Sequence, residues 1–121
     1  MHKTRKTVAP DPASFVPLTP AIHHILLALA DEERHGYGIM LEVARLTGGA
    51  TRMGPGTLYG TLKRLLTAGL IEEADERPDP ALDDERRRYY RIAPLGSLVL
   101  EAETARMRLL LSAARAKKVR A

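Results

Sequence analysis

The sequence predicts a mainly α-helical protein that carries one small β-hairpin. Between Thr19 and Ala68, apolar residues recur at three- and four-residue steps in successive stretches broken by turn formers. Two short β-prone runs then flank a polar loop, and beyond Pro94 the helical period returns and holds to about Lys118. The resulting order is helix, helix, helix, hairpin and one long helix.

Residues 1–17 contain three prolines and no helical period, which predicts a flexible N-terminal arm whose last part, with Phe15 and Val16 followed by Leu18, is apolar enough to dock on the fold. Residues 18–94 hold the helices and the hairpin. Thr19 followed by Pro20 reads as an N-cap and a first helical position, and Ile22, Ile25, Leu26 and Leu29 form the apolar stripe of a helix expected to end near Asp31 to Arg34. A second helix is expected from about His35 to Tyr37, with Ile39, Met40, Val43 and Leu46 on one face, stopping at Gly48 and Gly49. The third begins in GPGTLYGTLKRLLTAGLIEE, residues 54–73, where Leu58, Leu62, Leu65 and Leu66 share one face and Gly69 is placed to end it. Leu70 to Glu76 and RRRYYRIA, residues 86–93, make the hairpin, which is too small to stand alone and must pack on the helices.

Residues 95–121 form the last unit. Leu95, Leu98, Ala102, Ala105, Leu109 and Ser112 follow the alternating three- and four-residue steps of a coiled-coil seam. Val99, Leu100, Met107, Leu110 and Leu111 lie off that seam, so this helix has apolar surface on more than one side. A second subunit is expected to cover it.

Composition bounds the function. The chain has 121 residues, 45% hydrophobic and 28% charged, which is ordinary for a globular domain and small for an enzyme. It has no cysteine, which removes disulfides, thiol nucleophiles and cysteine-rich zinc sites. No apolar run approaches the roughly 20 residues of a membrane span, and the basic start lacks the apolar core of a secretory signal, so a cytoplasmic protein without membrane partners is expected. The net charge of +4 sits at the ends: residues 1–18 hold three basic groups and one acid, residues 95–121 six and two, and the body ten and twelve. Overall basicity is therefore weak support for a nucleic-acid partner.

Stronger support comes from the third helix. Helix, helix, helix, hairpin is the order of a winged helix-turn-helix, whose third helix enters the major groove of double-stranded DNA. Gly56 and Thr57 at its start let the backbone approach phosphate, where amide groups and the helix dipole attract an anion, and Thr57 is a candidate cap or phosphate donor. Gly60, Lys63, Arg64 and Thr67 lie opposite the leucines. Gly60 costs a helix about 1 kcal/mol relative to alanine, which packing alone does not explain. Arg86, Arg87 and Arg88 alternate faces in a strand, as do Tyr89 and Tyr90, so at most two of the arginines point one way and one tyrosine is core.

LTPAIHHILLALADEERHGYGIMLEV, then GPGTLYGTLKRLLTAGLIEE, then RRRYYRIAPLG resemble the PadR family of transcriptional regulators, over roughly residues 18–121. The resemblance implies a homodimeric winged-helix repressor whose C-terminal helix packs across the dimer, with members often released from DNA by a small molecule. It also implies that His35 and Tyr37 start the second helix near the DNA backbone, that residues from Thr57 to Arg64 form the reading surface, that Tyr59 sits between core and DNA, and that Arg86 to Arg88 lie on the wing. One helix follows the wing, as in the short members. The wing loop departs from a purely basic one: Asp83, Asp84 and Glu85 repel phosphate or pair with the arginines.

No nucleophile-and-base pair, phosphate loop or paired catalytic carboxylate stands out, so no enzyme and no cofactor is expected. His23 and His24 invite a metal reading, with His35 a possible third ligand, but adjacent histidines diverge by about 100° on a helix and no cysteine or obvious carboxylate partner completes a shell, so no metal site is expected either. The competing reading is a winged-helix protein-interaction module without sequence-specific DNA contact, which the −2 body and acidic wing loop favour. A small aliphatic or phenolic effector stays open, but with no tryptophan and one phenylalanine a broad pocket for large flat molecules is not expected.

Overall fold

The computed structural model describes residues 10–75 and 88–121. A short 3-10 turn, Pro12–Phe15, precedes α1 (Pro20–Ala28), β1 (Arg34–His35), α2 (Gly36–Leu46), α3 (Pro55–Ala68), β2 (Ile71–Glu73), β3 (Tyr89–Ile92) and α4 (Pro94–Ala116). The fold is mainly helical with a small sheet.

Caps set the helix boundaries. Thr19 Oγ1 accepts the Ile22 amide at 3.4 Å, and Pro20 occupies the first turn, where its missing N–H costs nothing. α1 ends at Ala28, earlier than the expected Asp31 to Arg34, and Arg34 reaches back to donate from Nε to the Ala28 carbonyl that the helix end leaves free, at 2.8 Å. That guanidinium is also bracketed by Asp31, Glu32 and Glu42 at 3.3, 3.2 and 3.8 Å. At the other end of α2, Gly48 and Gly49 adopt φ of 61° and 84°, and the Gly49 amide donates to Ala44 at 2.7 Å. Gly69 ends α3 in the same left-handed way, φ 78°, with the Leu70 amide donating to Leu65 at 3.0 Å.

The sheet has three strands rather than the two of a simple hairpin. The order is β1-β3-β2, antiparallel throughout, with Arg34 opposite Tyr90, His35 opposite Tyr89, Glu73 opposite Tyr90 and Glu72 opposite Arg91. β1 has two residues, too few to show alternation in sequence, and pairing with β3 alone defines it. β2 and β3 are also shorter than the runs that predicted them, since only residues with a ladder partner are held extended.

Ile25, Leu26, Ile39, Val43, Leu58, Leu62, Leu65, Ile71, Tyr90 and Val99 make one core from α1, α2, α3, α4 and the sheet. Burying each such aliphatic side chain contributes roughly 1.5–3 kcal/mol. Leu66, expected with them, is only partly buried at the core's edge. Phe15, Val16 and Leu18 pack on the same core from the segment before α1.

Glu103 ties this segment and α1 to α4. It is 1% exposed, and Arg106 donates to both its oxygens at 2.9 and 2.8 Å. That bond, helped by the Leu18 backbone and opposed by burial, holds the Glu103 carboxyl below its ordinary range. Burial in turn pushes His23 down, with Glu103 opposing.

Candidate nucleic-acid interface

α3 presents two unlike faces. Leu58, Leu62 and Leu65 are buried, as is Thr61, while Gly56, Thr57, Gly60, Lys63, Arg64 and Thr67 are exposed. The helix starts after Gly54, in extended conformation, and no side chain caps it. Thr57 is therefore not the cap; it sits inside the first turn, and its carbonyl accepts the Thr61 hydroxyl at 2.7 Å. With Pro55 lacking an amide, the first-turn donors at Gly56 and Thr57 face outward at the positive end of the helix dipole.

Thr61 was not singled out by sequence reasoning, yet it orients a side chain on the outward face of α3. Its hydroxyl accepts from Arg64 at 3.3 Å while donating to Thr57, so Arg64 is held along the helix. Lys63 has no ion-pair partner among the described residues. A Cβ built on Gly56 or Gly60 meets no atom within 4 Å, so packing among the described residues does not demand glycine at either position.

The two sequence stretches HGYG and PGTLY meet in one contact. A Cβ at Gly36 would lie 2.7 Å from Tyr59 Cζ, so the Tyr59 ring rests on the glycine and joins the start of α2 to α3. Only a residue without a side chain allows that approach. His35 is the α2 cap: its Nδ1 accepts the Gly38 amide at 2.9 Å. Its ring stacks on Tyr37 at 6.5 Å and meets Tyr89 edge-on at 5.3 Å. Tyr37 itself is 40% exposed beside it.

Arg88, immediately before β3, pairs loosely with Glu73 at 3.8 Å and borders the cleft that Tyr90 also lines. Arg86 and Arg87 lie outside the described residues. Tyr59, Lys63, Glu73, Arg88 and Tyr90 surround a cleft of about 350 Å³ between α3 and the base of the wing. His35 and Tyr89 lie on the opposite sheet face, so the structure gathers Tyr59, Lys63 and Arg88 and separates His35 from them. On that opposite face Arg91 is engaged by Glu72 at 2.8 Å and Glu33 at 3.6 Å, and the Glu72 bond raises its affinity for its proton.

Arg52 is a further cation that the sequence reading passed over. It is exposed in the loop before α3, and with His24, Thr51, Gly54 and Thr57 it lines a second cleft of about 290 Å³. Its signal was position: a cation two residues ahead of GPGT.

The seam residues of α4 divide along its length. Leu95 packs on the core and Ala102 is half-buried, whereas Leu98, Ala105, Leu109 and Ser112 are exposed, Leu109 at 73%. Off the seam, Val99 and Leu100 are buried within the chain, but Met107, Leu110 and Leu111 are exposed. Among the described residues no helix is long and apolar enough to cross a membrane.

Comparison with known proteins agrees with this geometry. The chain is 40% identical over 77 residues to the transcriptional regulator Rv3488 of Mycobacterium tuberculosis, a match covering 64% of this chain and 65% of that protein. The first curated relatives are spanned by 20% and 65% of their own length. Among solved structures, a PadR family transcription regulator from Clostridium difficile superposes with a TM-score of 0.61 at 22% identity, covering 80% of this chain and 96% of that one. Bacillus subtilis PadR in complex with operator DNA superposes with a TM-score of 0.59 at 21% identity, covering 70% and 45%. At those identities the two structures share the fold with this chain. The model of the PadR-like transcriptional regulator family matches residues 25–102, from the middle of α1 through the first turns of α4. The chain belongs to the PadR-like family of transcriptional regulators, a family of transcription factors and not of enzymes.

Proposed function

We propose that this regulator acts in the cytoplasm as a homodimeric repressor that seats one α3 in each half of a pseudo-palindromic DNA operator, with half-sites about 34 Å apart. The observation that carries the reading is the outward face of α3: an uncapped N-terminus, glycines that packing does not require, and Lys63 with no ion-pair partner among the described residues. Gly56 and Thr57 approach phosphate through their amides, Gly60 admits the backbone of the duplex, Lys63 and Arg64 reach into the groove, and Arg88 and Arg52 contact flanking phosphates. His35 and Tyr37 set the start of α2 beside the same strand. The operator-bound state of Bacillus subtilis PadR, which shares the fold, supports a DNA partner.

Dimerisation follows from α4. Leu98, Met107, Leu109, Leu110 and Leu111 are 42–73% exposed on a helix whose Leu95, Val99 and Leu100 pack within the chain. A second copy of α4 covers them. A groove of about 460 Å³ between the end of α1, β3 and α4, lined by Ile92, Ser97, Leu100, Glu101, Thr104 and Arg108, is the place where a small effector shifts that pairing and releases DNA.

The test is a mobility shift on fragments from upstream of the protein's own gene, at two salt concentrations, with random DNA as competitor. A complex that survives the competitor, weakens as salt rises and footprints as two related half-sites is expected. Shifts that vanish equally on all DNA overturn the operator reading and leave the winged helix as a protein-interaction module.

A further inference from the structure

Two neighbouring glutamates on β2 have opposite surroundings. Glu72 faces Arg91 across the ladder and accepts from its Nε at 2.8 Å, on the sheet face turned away from α3. Glu73 faces Tyr90, on the α3 side, and borders the cleft that also holds Lys63 and Arg88. Its distance to Arg88 is 3.8 Å, beyond hydrogen-bond reach, and both side chains are about half exposed, at 53% and 52%. An exposed pair of that geometry contributes little to stability. Glu72 has a close hydrogen-bonded partner, though that pair is also about half exposed, whereas Glu73 has only the looser contact with Arg88.

We infer that Glu73 is an electrostatic brake on sequence-independent DNA binding, a residue that sets how far binding depends on the base contacts of α3. The inference rests on the DNA-binding reading above. The cleft between α3 and the wing base carries the two cations that a phosphate entering from the DNA side meets, and Glu73 places a charge of the phosphate's own sign beside them. It repels the phosphate and competes with it for Arg88, weakening one counterion-releasing contact. Between positions 72 and 85 the sequence holds eight carboxylates and one arginine, and Glu73 is the described member that borders the cleft beside α3. Affinity from phosphate contacts is kept low, and occupancy then rests on the bases that Lys63 and Arg64 reach.

The experiment uses a random-sequence duplex, so no operator is needed. Binding of the full chain is followed by fluorescence anisotropy over a salt series for wild type, Glu73→Gln and Glu72→Gln, which change net charge equally, with a thermal melt of each. Glu73→Gln is expected to bind random DNA about three- to tenfold more tightly at low salt, and the slope of log K against log salt steepens by about one phosphate contact. Arg88→Ala costs several-fold more in the Glu73→Gln background than in wild type. Glu72→Gln leaves the slope unchanged. Equal gains in the two glutamine variants mean a bulk charge effect and overturn the brake, as does an unchanged Glu73→Gln beside a wild type that binds. No binding by any of the proteins at low salt overturns the DNA reading and the brake together.

Discussion

Gly36 and Gly60 lie on successive helices and answer the same substitution in opposite ways. A methyl group at Gly36 runs into the Tyr59 ring, and one at Gly96 runs into the Leu70 backbone, with Ile92 Cγ1 2.9 Å away. At Gly60 and Gly56 it meets nothing within 4 Å. The first pair belongs to the junctions where helices close on each other and on the sheet; the second belongs to the surface that α3 turns outward. Crowded glycines are explained by folding. Open ones in a helix, where glycine costs about 1 kcal/mol, call for a partner from outside.

Substitutions on the two sides of α3 and at the two kinds of glycine test that division. The largest effect is expected at the core side: Leu62→Ala removes a side chain 1% exposed and should cost about 3 kcal/mol in a urea melt, near the middle of the range for buried leucines. Gly96→Ala should cost about 1–3 kcal/mol, because α4 must shift away from Leu70. Gly36→Ala should behave alike, and Tyr59→Ala should recover part of its loss, since the ring is what the new methyl meets. A full-strength Gly36→Ala protein would show that the contact is not tight in solution.

On the outward side the readout changes from stability to affinity. Lys63→Ala or Arg64→Ala should leave the melt within about 0.5 kcal/mol of wild type. Each should weaken operator binding about tenfold, or ~1.4 kcal/mol. Unchanged affinity in both would move the reading face elsewhere. Gly60→Ala is the sharpest case: stability should rise by about 1 kcal/mol while operator affinity falls. A gain in stability with no loss of affinity would leave Gly60 without a DNA role.

The smallest effect concerns pH. The Glu103 carboxyl is held below its ordinary value of 4.5, so its contribution to stability is present above that value and disappears as pH falls through the lower folded value. Wild type should lose melting temperature between about pH 5 and pH 3, and Glu103→Gln should lose less over the same interval while starting lower. Parallel pH curves for the two proteins would place the acid sensitivity at other carboxylates.

Much of this division was legible in the residues. The three core leucines of α3, its stop at Gly69, the glycine pair after α2 and the proline opening α4 were all readable because each is a local property: a period, a cap or a backbone preference. Leu66 was read as core and is partly buried, because a helical period gives a direction and not the depth of what packs there. β1 was invisible, since two residues carry no alternation. Arg52 and Thr61 were missed for a related reason, as an isolated cation and a threonine among leucines look like ordinary surface until their neighbours are known.

By itself the sequence determined the helix order, the hydrophobic stripes, the caps and the family, because these depend on residues close together in the chain. Only the tertiary structure decided which glycine is crowded and which is open, that HGYG and PGTLY are one contact, and that Glu72 and Glu73 face opposite sides of the sheet with different partners. Those facts depend on distances between elements far apart in sequence, and such distances are set by the packing of the whole core.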